Sequence, residues 1–193
     1  LAARHLSEGA RVMFDLSSTY VEGEKCDLAK FGHNRDKKKG KKQINFGLLT
    51  DGAGRPVALS VFPGNTGDAS TLLPQVVKLK ERFGLTSFTL VGDRGMITGK
   101  HLGVLREAGV DWVTALKSQS LKKLVVAGTI QPSLFEEENL AEVSHADFPG
   151  ERLIACRNPV LGRMRAHKRD ELLAATSKEL TKVQQSVRAG RLR

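Results

Sequence analysis

Two cysteines, one tryptophan and one tyrosine among 193 residues leave little room for several common architectures. Cys26 and Cys156 are far apart and show no metal-ligand spacing, which argues against a structural zinc site. Two thiols also suit a reduced intracellular chain better than a disulfide framework. No apolar run approaches the roughly 18 to 20 residues that span a bilayer. The N-terminus lacks the charged region and apolar core of a secretory leader, so a soluble, cytoplasmic protein is expected. No internal repeat is evident, which excludes solenoids and propellers.

Acid is also scarce relative to base: 31 Lys plus Arg stand against 21 Asp plus Glu, a formal charge of +10. That excess favours a polyanionic partner, with nucleic acid the first candidate and an anionic membrane surface the competitor. With 40% hydrophobic residues the chain is globular, long enough for one ordinary domain and part of a second. Much of the positive charge is concentrated in Arg35-Asp36-Lys37-Lys38-Lys39-Gly40-Lys41-Lys42. Such a run is either solvated surface or a loop that grips phosphates by releasing their counterions.

The ordered part of the sequence alternates strand-like and helix-like patterns. Arg11 to Tyr20 reads as a central strand, apolar on both faces at its start. Gln43–Thr50 and Val57–Phe62 read as a hairpin across the turn Asp51-Gly52-Ala53-Gly54. A helix is expected from Ala69 to Phe83, capped by Thr66 or Asp68. Phe88–Val91 is a fourth strand, Ile97–Glu107 a helix closed by Gly109, and Trp112–Leu116 a fifth strand. The resulting class is α/β, with a mixed sheet of three antiparallel strands followed by strand, helix and strand. Beyond Lys117 the pattern weakens. Leu121–Val126 fits helix or strand, Leu153–Cys156 a short strand, and Met164–Ala189 a long charged helix with a sparse apolar stripe.

Two acids stand out because each interrupts an apolar run. Asp15 lies inside Val12-Met13-Phe14-Asp15-Leu16, and Asp93 follows Leu90-Val91-Gly92. A carboxylate within a strand buried on both faces costs several kcal/mol unless hydrogen-bonded, paired or metal-bound. For Asp15 the structural alternative is bonding to nearby Ser and Thr hydroxyls. For Asp93 it is capping the helix expected from Ile97. Two carboxylates delivered by two strands, with no histidine or cysteine cluster, favour a hard cation held by oxygen, Mg²⁺ or Mn²⁺. Paired ions of that kind stabilise in-line displacement at phosphorus and need about three or four acids.

The order of Asp15, Arg35-Asp36, Leu48-Leu49, Gly54-x-Pro56, Phe62-Pro63-Gly64-Asn65-Thr66-Gly67-Asp68 and Val91-Gly92-Asp93-Arg94-Gly95-Met96 resembles a bacterial insertion-sequence transposase of the DDE class. The resemblance covers roughly Val12 to Lys117 and continues more weakly through Pro149-Gly150-Glu151-Arg152. It implies an RNase H-like catalytic core at 1–117, helices on the sheet's faces, and the start of an insertion at 118–193. It also implies a two-metal Mg²⁺ (or Mn²⁺) site with Asp15 and Asp93 as the first and second acids. The reaction implied is hydrolysis and then strand transfer at the element ends, on element and target DNA, by a full-length protein that is dimeric in its DNA complex and nucleoid-associated. Arg35, Lys37, Lys38, Lys39, Lys41, Lys42 and Arg94 are the expected DNA contacts, though Arg94 would equally suit an ion pair with a nearby acid.

One departure qualifies this. The family's third acid is a Glu in a Tyr-Arg-Glu-Lys box, yet the only tyrosine is Tyr20 and no such box follows Asp93. Glu171 and Glu179 sit among residues typical of a solvated helical face. The sequence opens without an initiator methionine and closes in a charged tail, so a fragment whose third acid lies beyond Arg193, inactive alone, is expected. Another RNase H-like nuclease, or a non-catalytic basic DNA-binding remnant, would share most of these features. Under all three readings, replacing Lys37, Lys38, Lys39, Lys41 and Lys42 by Ala should weaken DNA binding. It should also flatten the plot of log affinity against log salt by about 0.9 for each phosphate no longer neutralised. An unchanged slope in a salt titration would remove the loop from DNA recognition.

Overall fold

A computed structural model of the chain describes residues 2–33, 38 and 40–191. Two compact units result, Leu1–Lys117 and Ser118–Arg193.

The first unit is built on one mixed sheet. Its elements are α1 (Ala2–His5), β1 (Ala10–Val21), β2 (Lys42–Asp51), β3 (Pro56–Pro63), α2 (Leu72–Val77), β4 (Phe88–Val91), α3 (Gly99–Glu107) and β5 (Asp111–Val113). The strand order is β3-β2-β1-β4-β5, with β1–β2 and β2–β3 antiparallel and β1–β4 and β4–β5 parallel. Alternation along each strand selects one face for the core: Val12, Phe14 and Leu16 from β1, Leu49 from β2, and Phe88 and Leu90 from β4. Leu72, Val76, Leu79 and Leu105 from the helical segments join the same cluster.

The opposite face carries Met13, Asp15 and Ser17 of β1 with Leu48, Leu59, Val61 and Val113, the last four exposed. The sequence reading of β1 as buried on both faces therefore needs correcting. Only the even-numbered face is buried at its start, and Asp15 is exposed. Its carboxylate has water on that side and bears no burial cost.

The first helical segment is also less regular than expected. A 3₁₀ turn (Asp68–Thr71) precedes α2, and a π-helical turn (Lys78–Arg82) follows it. Gly67 holds the position before the 3₁₀ turn, between the Thr66 and Asp68 to which capping was assigned. β5 ends at Val113, short of the expected Leu116.

The turn joining β2 to β3 is fixed by Asp51. Its Oδ1 accepts from Ala53 N and Arg55 N, both at 2.9 Å, and its Oδ2 from Arg55 Nε at 2.7 Å. Gly54 supplies the positive φ of +81°. The second unit contains α4 (Ser118–Val126), the antiparallel pair β6 (Leu140–Val143) and β7 (Leu153–Cys156), and α5 (Pro159–Arg188). Asn158 Oδ1 caps α5 by accepting from Leu161 N at 2.9 Å, so the helix starts before the expected Met164. Among the described residues no helix is long and apolar enough to cross a membrane.

Burial pushes the Asp51 carboxyl up. The bonds from Arg55 and Ala53, with the Arg55 charge, outweigh this and hold it below its ordinary value. A depressed carboxyl contributes stability fully above its unfolded pKa, about 3.9, and loses it as pH falls through the lower folded value. Between pH 7 and pH 3, the urea midpoint should therefore fall more for the wild type than for Asp51→Asn. Equal drops would show that the turn is not tied to this ionisation.

Candidate active site

The parallel ladder between β1 and β4 relates the two acids. Its last registered pair is Met13 with Val91. Asp15 lies two residues further along β1, and Asp93 lies two residues past the end of β4, in the turn that follows it. The extended chain persists past Val91, since Gly92 N donates to Val113 O at 3.1 Å. Both acids are exposed.

Each carboxylate is held by one oxygen. Asp15 Oδ1 accepts from Leu16 N at 2.9 Å. This replaces the Ser and Thr hydroxyl partners that the sequence offered as its structural explanation. Asp93 Oδ1 accepts from Gly95 N at 3.0 Å and Met96 N at 2.8 Å, while its backbone carbonyl accepts from Met96 N and Ile97 N. Asp93 thus closes its own turn. α3 begins later, at Gly99, with Thr98 in the cap position, which corrects the reading of Asp93 as the cap of a helix from Ile97. In both acids Oδ2 makes no hydrogen bond among the described residues.

That donor set fits a divalent cation: two exposed carboxylate oxygens, one on strand β1 and one on the turn after β4, each oriented through its partner oxygen. Two acids do not complete a two-metal site, and among the described residues no group of three His, Cys, Asp or Glu is placed to hold an ion. Beside Asp93 lies an open cleft of about 470 Å³, lined by Val91 to Arg94 and Val113 to Ala115. Arg94 therefore borders the space next to the acid.

The expected DNA contacts divide differently. Arg35, Lys37 and Lys39 lie outside the described residues. Lys38 stands 5.9 Å above the Tyr20 ring, Lys41 pairs with Glu22 at 3.1 Å, and Lys42 opens β2 opposite Val21. These cations gather at the far end of β1, roughly 17 Å from Asp15 at 3.3 to 3.4 Å per residue. The structure therefore separates the lysine end from the acids and keeps Arg94 beside them. Glu171 and Glu179 both belong to α5, where they pair with His167, Lys168 and Lys182.

Sequence reasoning missed the residues that anchor the lysine loop. Gln43 and Asn45 are buried on β2. Gln43 Nε2 donates to Gly64 O at 2.8 Å and His33 O at 3.1 Å, and Asn45 Nδ2 donates to Thr66 O at 2.9 Å. Together they tie the segment before the loop to the Pro63–Asp68 turn, around a cleft of about 120 Å³. Gly32 and Gly64 are required there, since a Cβ on either would overlap a backbone carbonyl. The available signal was the alternation of Gln43 and Asn45 with Gly47 and Leu49 on one strand face, which points two amides inward.

A five-stranded mixed sheet with helices packed on it defines a mixed α/β domain compatible with an RNase H-like DDE domain fold. The family model described as a transposase DDE domain matches residues 11–189, and the chain belongs to that family. No curated protein and no solved structure matches it.

Gly95 tests the geometry of the Asp93 turn. A methyl group there would lie 3.4 Å from Asp93 Oδ1 and 3.6 Å from Oδ2, ordinary contacts that crowd both oxygens without straining the backbone. Gly95→Ala should weaken Mn²⁺ binding several-fold while changing stability by no more than about 0.5 kcal/mol. Unchanged Mn²⁺ affinity, measured by electron paramagnetic resonance, would show that Asp93 does not meet metal from that side.

Proposed function

We propose that this chain supplies Asp15 and Asp93 as two of the three metal-binding acids of a DNA transposase that hydrolyses and then transfers phosphodiester strands at insertion-element ends. The reading is supported by the pairing of β1 with β4, which brings exposed, half-engaged Asp15 on β1 and Asp93 in the turn just past β4 to the same end of the ladder.

DDE transposases use divalent metals, and the oxygen-only donors favour Mg²⁺ or Mn²⁺. Such ions, when bound, activate the attacking hydroxyl and stabilise the leaving oxygen. The chain's own residues orient the chemistry. Leu16 N fixes the Asp15 carboxylate, and Gly95 N and Met96 N fix that of Asp93, leaving one oxygen on each for coordination. Arg94 borders the cleft where the scissile phosphate would lie, suited to a non-bridging oxygen. The lysine end of β1 grips the backbone about five nucleotide rises away, at 3.4 Å per nucleotide. The units divide the work: 1–117 is the catalytic core, and 118–193 belongs to an insertion preceding a third acid beyond Arg193. Pairing of two element ends then requires at least a dimer in the full complex.

The decisive measurements are metal binding and plasmid nicking. Mn²⁺ should bind this chain, and Asp15→Asn and Asp93→Asn should each weaken it by about tenfold or more. Undiminished binding in both variants would refute the site. Mn²⁺-dependent nicking by this chain alone would instead refute the need for a third acid beyond it. Joining of cut ends to a target plasmid, once the third acid is supplied, separates a transposase from a resolvase-like nuclease.

A further inference from the structure

The turn that presents Asp93 is held from outside as well as by its own carboxylate. Asp93 Oδ1 accepts from Met96 N at 2.8 Å, and the Asp93 carbonyl accepts from Ile97 N at 3.0 Å. Both bonds depend on the orientation of residue 96, because its N–H faces the carboxylate and its carbonyl shares a planar peptide with Ile97 N. The side chains of Met96 and Ile97 are buried in the core and anchor this stretch there.

One further side chain reaches it. His101, the third residue of α3, brings Nδ1 to 2.9 Å from Met96 O. A carbonyl only accepts, so this contact assigns the proton to Nδ1 and makes His101 the donor. The other neighbours of Nδ1, Thr98 N at 3.4 Å and Thr98 Oγ1 at 3.5 Å, lie at the limit of hydrogen bonding. A role confined to closing the helix start would call for the short bond to run to Thr98 N. It runs instead to Met96 O, two residues nearer Asp93. The helix makes this reach natural, since side chains in its first turn lean back toward its N-terminus. The Met96–Ile97 peptide is therefore tied at both ends, its carbonyl by His101 and its N–H by the Asp93 carbonyl.

We infer that His101 is a positioning residue for the Asp93 carboxylate. By holding Met96 O it sets the direction of Met96 N, which fixes Oδ1 and leaves Oδ2 for a cation. It acts through the Met96 backbone rather than by coordination. The inference rests on the reading of Asp93 as a metal-binding acid and makes that reading more specific. Without the histidine bond Met96 O turns to water, the peptide gains freedom and the carboxylate loses a fixed partner. Partners bonded directly to a metal ligand change affinity by about 10- to 100-fold, so a partner one step farther out is expected to act by about three- to tenfold.

The test is Mn²⁺ binding by the intact chain, followed by electron paramagnetic resonance. His101→Leu, which keeps the bulk, and His101→Ala, which removes it, should each weaken binding about three- to tenfold. His101→Asn places an amide N–H where Nδ1 stands and should bind Mn²⁺ within about twofold of the wild type. Two backgrounds locate the effect. With Asp15→Asn the loss from His101→Leu should persist, because Asp93 remains to be positioned, and with Asp93→Ala it should disappear. Unchanged affinity in His101→Leu and His101→Ala, no recovery in His101→Asn, or an equal loss in the Asp93→Ala background would overturn the inference and leave the metal reading intact. An affinity loss that vanishes once corrected for the unfolded fraction seen in urea titrations would assign His101 to the fold alone and overturn the inference. Undiminished binding in Asp93→Ala would also overturn it, and undiminished binding in Asp15→Asn as well would overturn the metal reading with it.

Discussion

The parallel pairing of β1 with β4 is the contact on which the rest of the domain depends. It joins segments distant in sequence, puts Val12 beside Leu90 in the core, and leads the chain from β4 into the turn that carries Asp93. Parallel strands cannot be joined by a tight turn, so the chain must make a long excursion between them. That excursion contains the β2–β3 hairpin and the helical run 68–82, whose apolar side chains cover one face of the sheet. Packing and candidate site are consequences of a single alignment. A one-residue slip would exchange the faces of β4 and expose Leu90.

The two faces of the sheet have different fates. One is sealed by α2, α3 and the π turn, which gives the domain its stability. The other keeps Asp15 in water and displays Leu48, Leu59, Val61 and Val113. The exposure of the acids is what their proposed role at a metal requires. A deeply buried carboxylate would have to be desolvated and paired before it could act, whereas these have one oxygen fixed by backbone donors and the other accessible. The Asp93 turn accomplishes this within four residues, and Gly95 leaves the space around both oxygens open.

Asp15 lies near the middle of β1, and Lys38, Lys41 and Lys42 lie at its C-terminal end, where Gln43, Asn45, Gly32 and Gly64 hold the base of the lysine loop against the Pro63–Asp68 turn. The glycines allow two backbones to cross more closely than any side chain permits, and the amides satisfy carbonyls that the crossing buries. The segments before and after the charge-rich loop are thereby hydrogen-bonded to the Pro63–Asp68 turn.

The mixed sheet was legible from sequence because strand and helix periodicities differ and because Gly and Pro mark its turns. β2, β3 and β4 fall close to the expected positions. The two acids were legible because each interrupts an apolar run. Residue patterns did not reveal that β1 is covered on one face only, since an alternation of Met, Asp and Ser with Val, Phe and Leu cannot show whether a second layer is present. Nor did they reveal that Asp93 closes its own turn, because a cap and a turn use the same donor geometry. The sequence by itself determined the element order, the basic charge and the two isolated carboxylates, all of which are local properties. Only tertiary structure decided the strand register that pairs β1 with β4 and the burial of Gln43 and Asn45, because both depend on contacts between segments far apart along the chain.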